Sequence, residues 1–212
     1  MRWFITGPLD EDLDRFKFDE PCNIIVLGDA CFFNPSKTKL LNLASSSFHN
    51  FYCVRGGHEN NPEYISGLVT VYDQAVDGLV FCNPEYPNIK YFDDGQVYTI
   101  GKRRCLILGG GTALDERELL LKGGEYFDKS ILSENEMKDI SGFVENEDVD
   151  YVFSYTAPVS WEKPSNGRYE MELWMNELKD RFSWKVWMFG RYRQDIDLSV
   201  NIREIYQDIF RI

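Results

Sequence analysis

The sequence lacks several features that would each point to one class of protein. It contains no run of about 18 apolar residues, so no membrane-spanning helix and no membrane partner are expected. Met1–Thr6 runs directly into charged residues, without the apolar core and cleavage site of a secretory signal. Its five cysteines form no CxxC pair, which favours free buried thiols in a reducing, cytoplasmic environment.

Histidine and phosphate-loop signals are also scarce. The only histidines are His49, which lies in a polar connection and is expected to be exposed, and His58. Two histidines give little basis for a Ser-His-Asp or Cys-His catalytic set. The glycines Gly109–Gly111 are not followed by the Lys-Ser/Thr of a phosphate-binding loop, so a sharp turn from strand to helix is predicted there.

Basic residues are too few to balance the acidic ones. There are 23 Lys and Arg against 35 Asp and Glu, which gives a net charge of −12 with both histidines neutral. This charge disfavours direct binding of nucleic acid and suits a basic partner surface, although solubility alone would also explain it. The acidic runs Asp10–Asp14 and Glu145–Asp150 are expected to be solvated faces, either of which could serve as an interaction surface.

Short apolar runs alternate with amphipathic stretches along the chain, whose composition is 43% hydrophobic and 15% aromatic. We predict one α/β domain over residues 1–212, with two packed mixed β-sheets flanked by helices. The predicted strands are Trp3–Thr6, Asn23–Leu27, Phe51–Val54, Leu79–Asn83, Ile89–Phe92, Val97–Ile100, Cys105–Leu108, Tyr151–Ser154 and Trp184–Phe189.

Helix and turn signals complete this pattern. The predicted helices are Lys37–Ala44, a helix opened by a Ser133/Glu136 capping box and ending near Val144, and Tyr169–Asp180 with an apolar stripe of Leu173, Trp174 and Leu178. Asp94-Gly95 and Gly101–Arg103 are typical of tight turns, and Glu162–Gly167 of a surface loop.

Five segments at predicted strand ends form an ordered set. They are Ile5–Asp10, Leu27–Phe32, Val54–Glu59, Ser154–Pro158 and Phe189–Arg193. In order and context they resemble the calcineurin-like metallophosphoesterases, which carry Asp-x-His, Gly-Asp-x-x-Asp, Gly-Asn-His-Asp/Glu, Thr-His-x-x-Pro-like and Gly-His-x-His segments. Gly109–Gly111 with Asp115 and Arg117 is similar to a stretch of small bacterial and phage members. The resemblance spans about residues 3–195 and implies an α/β/β/α sandwich.

Most metal-ligand positions of that family are changed in this sequence. By the resemblance, Asp29 keeps the place of the bridging aspartate and His58 that of the leaving-group histidine. The other positions carry Pro8, Asp10, Phe32, Gly57, Tyr155, Arg191 and Arg193. Proline and glycine offer no side-chain ligand and arginine stays protonated, so no two-metal site and no catalytic residue are expected.

The two arginines suggest how the fold survives without metals. The guanidinium groups of Arg191 and Arg193 would replace the cations, with Asp29 and Asp10 as their counterions. Alternatively, Arg191 and Arg193 are a clamp for phosphate or a nucleotide. A third possibility is one residual divalent ion, Zn²⁺ or Mn²⁺, held by Asp29, His58 and Asp10, with Cys31 as a further candidate ligand.

Three functions follow from these alternatives. The first is a pseudoenzyme that binds a protein with a basic, nucleic-acid-binding surface, for example as a phage or mobile-element inhibitor of the anti-CRISPR type. The second is a residual phosphoesterase in which His58 is the general acid. The third is a protein that binds a nucleotide or phosphate without hydrolysing it.

Overall fold

The computed structural model describes residues 1–10, 13–113, 115, 121, 130–161 and 169–212. The predicted loop Glu162–Gly167 and Arg117 lie outside these ranges. No helix within them is long and apolar enough to cross a bilayer. All five cysteines are buried and free of disulfides, as predicted.

The first sheet has seven strands. In chain order they are β1 (Arg2–Thr6), β2 (Cys22–Leu27), β3 (Asn50–Val54), β4 (Val69–Asp73), β5 (Gly78–Cys82), β6 (Ile89–Phe92) and, near the C-terminus, β13 (Phe210–Arg211). Their spatial order is β13-β1-β2-β3-β6-β5-β4. Strands β1, β2, β3 and β6 are parallel, whereas β13, β5 and β4 are antiparallel to their neighbours.

The second sheet has six strands. They are β7 (Val97–Ile100), β8 (Arg103–Leu108), β9 (Asp148–Ser154), β10 (Ser183–Phe189), β11 (Ile196–Ser199) and β12 (Ile202–Glu204). Their spatial order is β11-β12-β10-β9-β8-β7, with a parallel centre and antiparallel edges. The predicted α/β class with two mixed sheets is therefore confirmed.

Side-chain alternation along the strands explains the packing of the two sheets. On β2, Ile25 and Leu27 belong to a core cluster that also contains residues of β7, β8, β9 and β10, so this cluster joins the two sheets. The intervening Ile24 and Val26 point to the opposite face and pack with Leu40 and Ala44. Because both faces are covered, these parallel strands are apolar throughout.

Within the described ranges, three helices cover the outer faces. They are α1 (Thr38–Ser45), which follows a short 3₁₀ turn at Pro35–Lys37, α2 (Glu134–Val144) and α3 (Glu170–Leu178). The predicted capping box at the start of α2 is confirmed, with Ser133 and Glu136 bonding reciprocally. Helices α2 and α3 pack on the second sheet through residues such as Met137, Met175 and Leu178.

Several local predictions are wrong for identifiable reasons. The tight turn predicted at Asp94-Gly95 is confirmed, but it does not close a hairpin, because β6 and β7 lie in different sheets and the chain crosses between them there. The Gly101–Arg103 hairpin between β7 and β8 is confirmed. His49 is buried, because its ring packs against aromatic neighbours and its Nδ1 lies 3.3 Å from Cys22 Sγ. Burial lowers the pKa of His49.

The apolar stripe predicted on α3 is shifted in register. Leu173 is 54% exposed, whereas Met171, Glu172, Met175 and Leu178 are buried. Of the predicted stripe, Leu178 is buried and Trp174 packs against the same core, whereas Leu173 is not part of it. A glutamate, Glu172, lies among the core-facing residues of this helix. The edge strands β4, β11 and β13, and β12 next to β11, were not predicted.

Substitution of two glycines tests the backbone conformation of the fold. Gly142 lies within α2 and a Cβ there would meet nothing within 4 Å, so Gly142→Ala should stabilise the protein by about 0.5–1 kcal/mol. Gly28 has φ +88°, and a Cβ there would lie 2.1 Å from the Tyr155 ring. Gly28→Ala should therefore cost at least about 2 kcal/mol. Chemical denaturation measures both changes, and equal effects in the two variants would contradict this backbone assignment.

Candidate functional site

The candidate site lies in the loops that follow the parallel strands of both sheets. The backbone there is unusual, since four of the seven described non-glycine residues with positive φ belong to these loops: Asp10, Asp29, Cys31 and Arg193. Such conformations cost about 1–3 kcal/mol each and persist only where surrounding contacts enforce them. The contacts of the charged side chains in these loops supply that enforcement.

His58 is held between two aspartates. Its Nδ1 lies 2.9 Å from Asp29 Oδ2, and its Nε2 lies 2.6 Å from Asp115 Oδ1. The His58 backbone N–H also donates to Asp29 Oδ1 at 2.9 Å, so the loop after β3 is bound twice to the loop after β2. Both ring nitrogens are thereby engaged with carboxylates.

The charges of this array reinforce one another. Burial alone would lower the pKa of His58, but the hydrogen bonds and charges of Asp29 and Asp115 raise it to about 9. Burial alone would raise the pKa of Asp29, but His58 and Tyr155 hold it below its usual value. At neutral pH the array is an imidazolium between two carboxylates.

Tyr155 fills the space beside Asp29. Its buried hydroxyl donates to Asp29 Oδ2 at 3.0 Å, and its ring lies against Gly28. A Cβ at Gly57 would lie 3.0 Å from the same hydroxyl and 2.8 Å from Ala113 N. Tyr155 therefore occupies, next to the carboxylate, the volume into which a further ligand at residue 57 would project.

Glu59 ties the same loops together from within. Gly56 N donates to Glu59 Oε2 at 2.8 Å, Tyr91 Oη donates to Glu59 Oε1 at 3.0 Å, and Cys31 N also donates to Oε1. Burial, and then the charge of Asp29, raise the pKa of Glu59 to about 7. The buried Cys31 serves as a structural residue, because burial raises its thiol pKa well above the usual value.

Contrary to the prediction, Arg191 does not pair with Asp29. It is buried and forms an ion pair with Glu172 of α3, and its Nη1 also donates to Thr156 Oγ1 at 3.0 Å. Thr156 in turn donates to Glu172 Oε1 at 2.9 Å. The predicted counterion of Arg191 was wrong because a carboxylate on the helix face packed over β9 and β10 reaches the guanidinium, whereas Asp29 is taken by His58.

Arg193 and Asp10 do pair as predicted. Arg193 Nη2 lies 3.2 Å from Asp10 Oδ1, and Tyr206 Oη donates to Asp10 Oδ2 at 2.5 Å. Both partners are partly exposed, so this pair contributes little to stability. Of the two phosphate-binding candidates, Arg191 is sequestered, and only Arg193 lies at the surface.

A buried ion pair that the sequence did not indicate joins the two sheets. Arg55 follows β3, and its Nε and Nη2 lie 2.8 and 2.7 Å from Asp94 Oδ2. Gly109 N, after β8, donates to Asp94 Oδ1 at 2.8 Å, and Gly110 N donates to Arg55 O at 2.7 Å. The glycines of Gly109–Gly111 leave room for this contact, since a Cβ at Gly109 would lie 2.2 Å from Asp94.

The candidate metal ligands do not form a coordination set. Asp29 and His58 meet, but each is saturated by the other and by Asp115 or Tyr155, whereas Asp10 is bound to Arg193 and Tyr206. Within the described part of the chain, no three His, Cys, Asp or Glu side chains are arranged to hold a metal ion. These residues therefore do not fit the two-metal centre of the phosphoesterases, whose ligands must converge with free lone pairs.

A small cleft opens beside the array. It encloses about 180 Å³, and its lining includes Phe33, His58, Glu59, Tyr64 and Tyr91. Both oxygens of Glu59 already accept hydrogen bonds, and the cleft lining also includes the polar side chains of Asn34, Asn60 and Ser66.

The pH dependence of the free energy of unfolding, compared between wild type and His58→Ala, should show whether His58 is protonated in the folded protein. The folded-state pKa of about 9 lies above the ordinary 6.5, so the contribution is complete below about pH 6.5 and is lost as pH rises through 9. His58→Ala should lower the free energy of unfolding by about 2–3 kcal/mol near pH 6 and by clearly less above pH 9.

The matched variant is Asp115→Asn, since Asp115 is half exposed. It should cost less than about 1 kcal/mol near pH 6. Urea denaturation at several pH values measures all three proteins. A difference between wild type and His58→Ala that stays constant from about pH 6 to 10 would show that His58 is neutral in the folded state.

The comparisons with known proteins add no relative to these observations. The sequence matches no protein-family model, and it matches no curated protein at a significant level. The resemblance to metallophosphoesterases therefore stays a prediction, and the function is inferred from the geometry above.

Proposed function

We propose that the chain is a catalytically inactive, metallophosphoesterase-like scaffold that binds a protein with a basic, nucleic-acid-binding surface. An RNA-guided nuclease is the concrete partner class, and the chain would then act as a phage or mobile-element inhibitor. The inactive half of the proposal is supported by the charged groups at the strand ends, which are neutralised by one another.

The observation that carries the binding half is an acidic cleft between α2 and the loop after β6. It encloses about 310 Å³ and is lined by Asp93, Asp94, Glu136 and Asp139, with an apolar wall of Leu132, Ile140 and Phe143. Asp94 is neutralised by Arg55 and Glu136 is bound to Ser133, so Asp93 and Asp139 are the acids that the cleft offers to a partner. Burial, and then the charge of Asp94, raise the pKa of Asp93 to about 6, while Arg55 beside Asp94 offsets part of this shift.

The other acidic surfaces are less suited to a basic partner. The run Glu145–Asp150 is largely neutralised, since Glu145 pairs with Arg181, Glu147 with Arg104, and Asp150 with Lys185. In contrast, no Lys or Arg described in the structure lies within 4 Å of the Asp93 or Asp139 carboxylate. An exposed Phe143 beside these carboxylates suits an arginine side chain, which can stack on an aromatic ring while it pairs with an acid.

Competition with DNA tests this proposal. The chain should displace a fluorescent DNA duplex from an RNA-guided nuclease at about 50 mM salt and more weakly at about 200 mM, because screening shortens the reach of charge–charge attraction. Asp139→Asn should weaken the displacement about fivefold. Asp19→Asn is the matched control, since Asp19 is exposed elsewhere and makes the same change in charge.

The pH dependence gives an internal check on Asp93. Lowering the pH from about 7 to 5.5 protonates its carboxyl, so displacement should weaken in the wild type and change less in Asp93→Asn. A chain that fails to displace DNA at about 50 mM salt, or that displaces it equally well in Asp139→Asn and at high salt, contradicts the proposal.

A second candidate function rests on the protonated state of His58. An imidazolium with a pKa of about 9, oriented by Asp29 and next to an open cleft, could protonate a leaving group without a metal. Hydrolysis of bis(p-nitrophenyl) phosphate in the presence of EDTA tests it. Turnover that is lost in His58→Asn and kept in His49→Asn would establish this activity and would overturn the inactive scaffold.

A further inference from the structure

Strand β4 forms an open edge of the first sheet. It pairs with β5 on one side only within the described part of the chain. Its five residues, Val69–Asp73, include no lysine, no proline and no bulge against β5. Natural proteins usually protect such edges with these devices, because an open strand pairs with other chains.

Apolar side chains of this edge are exposed on both faces of the sheet. Val71 lies opposite Val80, which belongs to the core between the sheets, yet Val71 is 36% exposed. Tyr72 lies opposite Leu79 on the other face, and both are more than half exposed. The β4–β5 hairpin therefore offers both an unpaired backbone and an apolar surface, which together are typical of an interface.

We propose that β4 pairs antiparallel with β4 of a second copy of this chain, giving a twofold-symmetric dimer with a continuous sheet. Antiparallel pairing centred on Val71 places Val71 against its own copy and Thr70 against Tyr72, so one strand is complementary to itself. Tyr72 and Leu79 of each copy then extend the apolar contact on the outer face.

The charges favour a second copy over the basic partner of the proposed function. The only charged residue of the strand is Asp73, and its carboxylate is already bound by Lys90 at 2.5 Å and by Tyr52 Oη at 2.9 Å. Strand β4 itself thus presents no unpaired carboxylate, and the only nearby acid of the β4–β5 turn, Asp77, accepts a hydrogen bond from Tyr72 Oη at 2.5 Å. The strand presents valine, threonine and tyrosine, which match the same residues in a twofold copy.

The size of the contact sets the expected strength. Five paired residues and a few half-exposed apolar side chains make a small interface, at or below the lower limit of about 1,000–1,200 Å² for specific complexes. Each copy also carries a net charge of −12, so long-range repulsion opposes association. We therefore expect a dimer with a dissociation constant of roughly tens of micromolar that tightens as salt screens the repulsion.

Sedimentation equilibrium of the full chain, over about 5–500 µM protein and 50–500 mM salt, tests the dimer. Val71→Lys should weaken association at least tenfold, because it places two lysines against each other at the dyad. Val200→Lys is the matched control, since Val200 is fully exposed in the β11–β12 turn and makes the same change in charge. Thr70→Lys is a second edge variant at an exposed position, which covers the case that Val71→Lys does not fold.

Two results would overturn the dimer. One is a monomer at every concentration and salt, and the other is association that Val71→Lys and Thr70→Lys leave as strong as Val200→Lys does. Because no partner protein is present, the outcome is independent of the displacement assay. The salt effects also have opposite signs, since the dimer strengthens with salt and binding to a basic partner weakens.

Discussion

Charge neutralisation at the carboxyl ends of the parallel strands is the constraint on which the rest of the structure depends. The strands of both sheets deliver Asp29, Arg55 and Arg191 into surroundings where an unpaired ion would cost several kcal/mol. Each of them is matched by a group from a distant segment: His58, Asp94 and Glu172, respectively. The chain therefore balances these buried charges with its own side chains.

The cost of that solution is a strained and densely occupied pocket. Asp29 and Arg193 adopt left-handed backbone conformations, and the Tyr155 hydroxyl is fixed on Asp29. Groups that compensate one another so completely have little capacity left to bind a ligand, which moves the search for function to the surface. There the molecule offers two distinct features, an acidic cleft beside α2 and the open apolar edge of β4.

The elements that could be predicted from the sequence are those that depend on local residue patterns. The alternation of Ile24, Ile25, Val26 and Leu27 indicates a strand buried on both faces, and Ser133 with Glu136 marks a helix start. The order of the strand-end segments also predicted that Asp29 and His58 lie near each other, and the two side chains are in contact. Residues whose partners lie far along the chain were not predictable: Glu172 was one acidic residue on an apolar helix, and Asp94 signalled a turn rather than the counterion of Arg55. Periodicity does not encode which strands become edges, so β4 was missed.

The most direct test of internal neutralisation is thermal unfolding of tag-free protein with EDTA and with increasing Mn²⁺ or Zn²⁺, read beside elemental analysis. A metal ion that binds only the folded state must raise the melting temperature once the ion concentration exceeds the dissociation constant. Because the strand-end charges are paired within the chain, the account predicts an unchanged melting temperature and no retained metal. A saturable rise at micromolar metal, with one or two ions per chain, would contradict it.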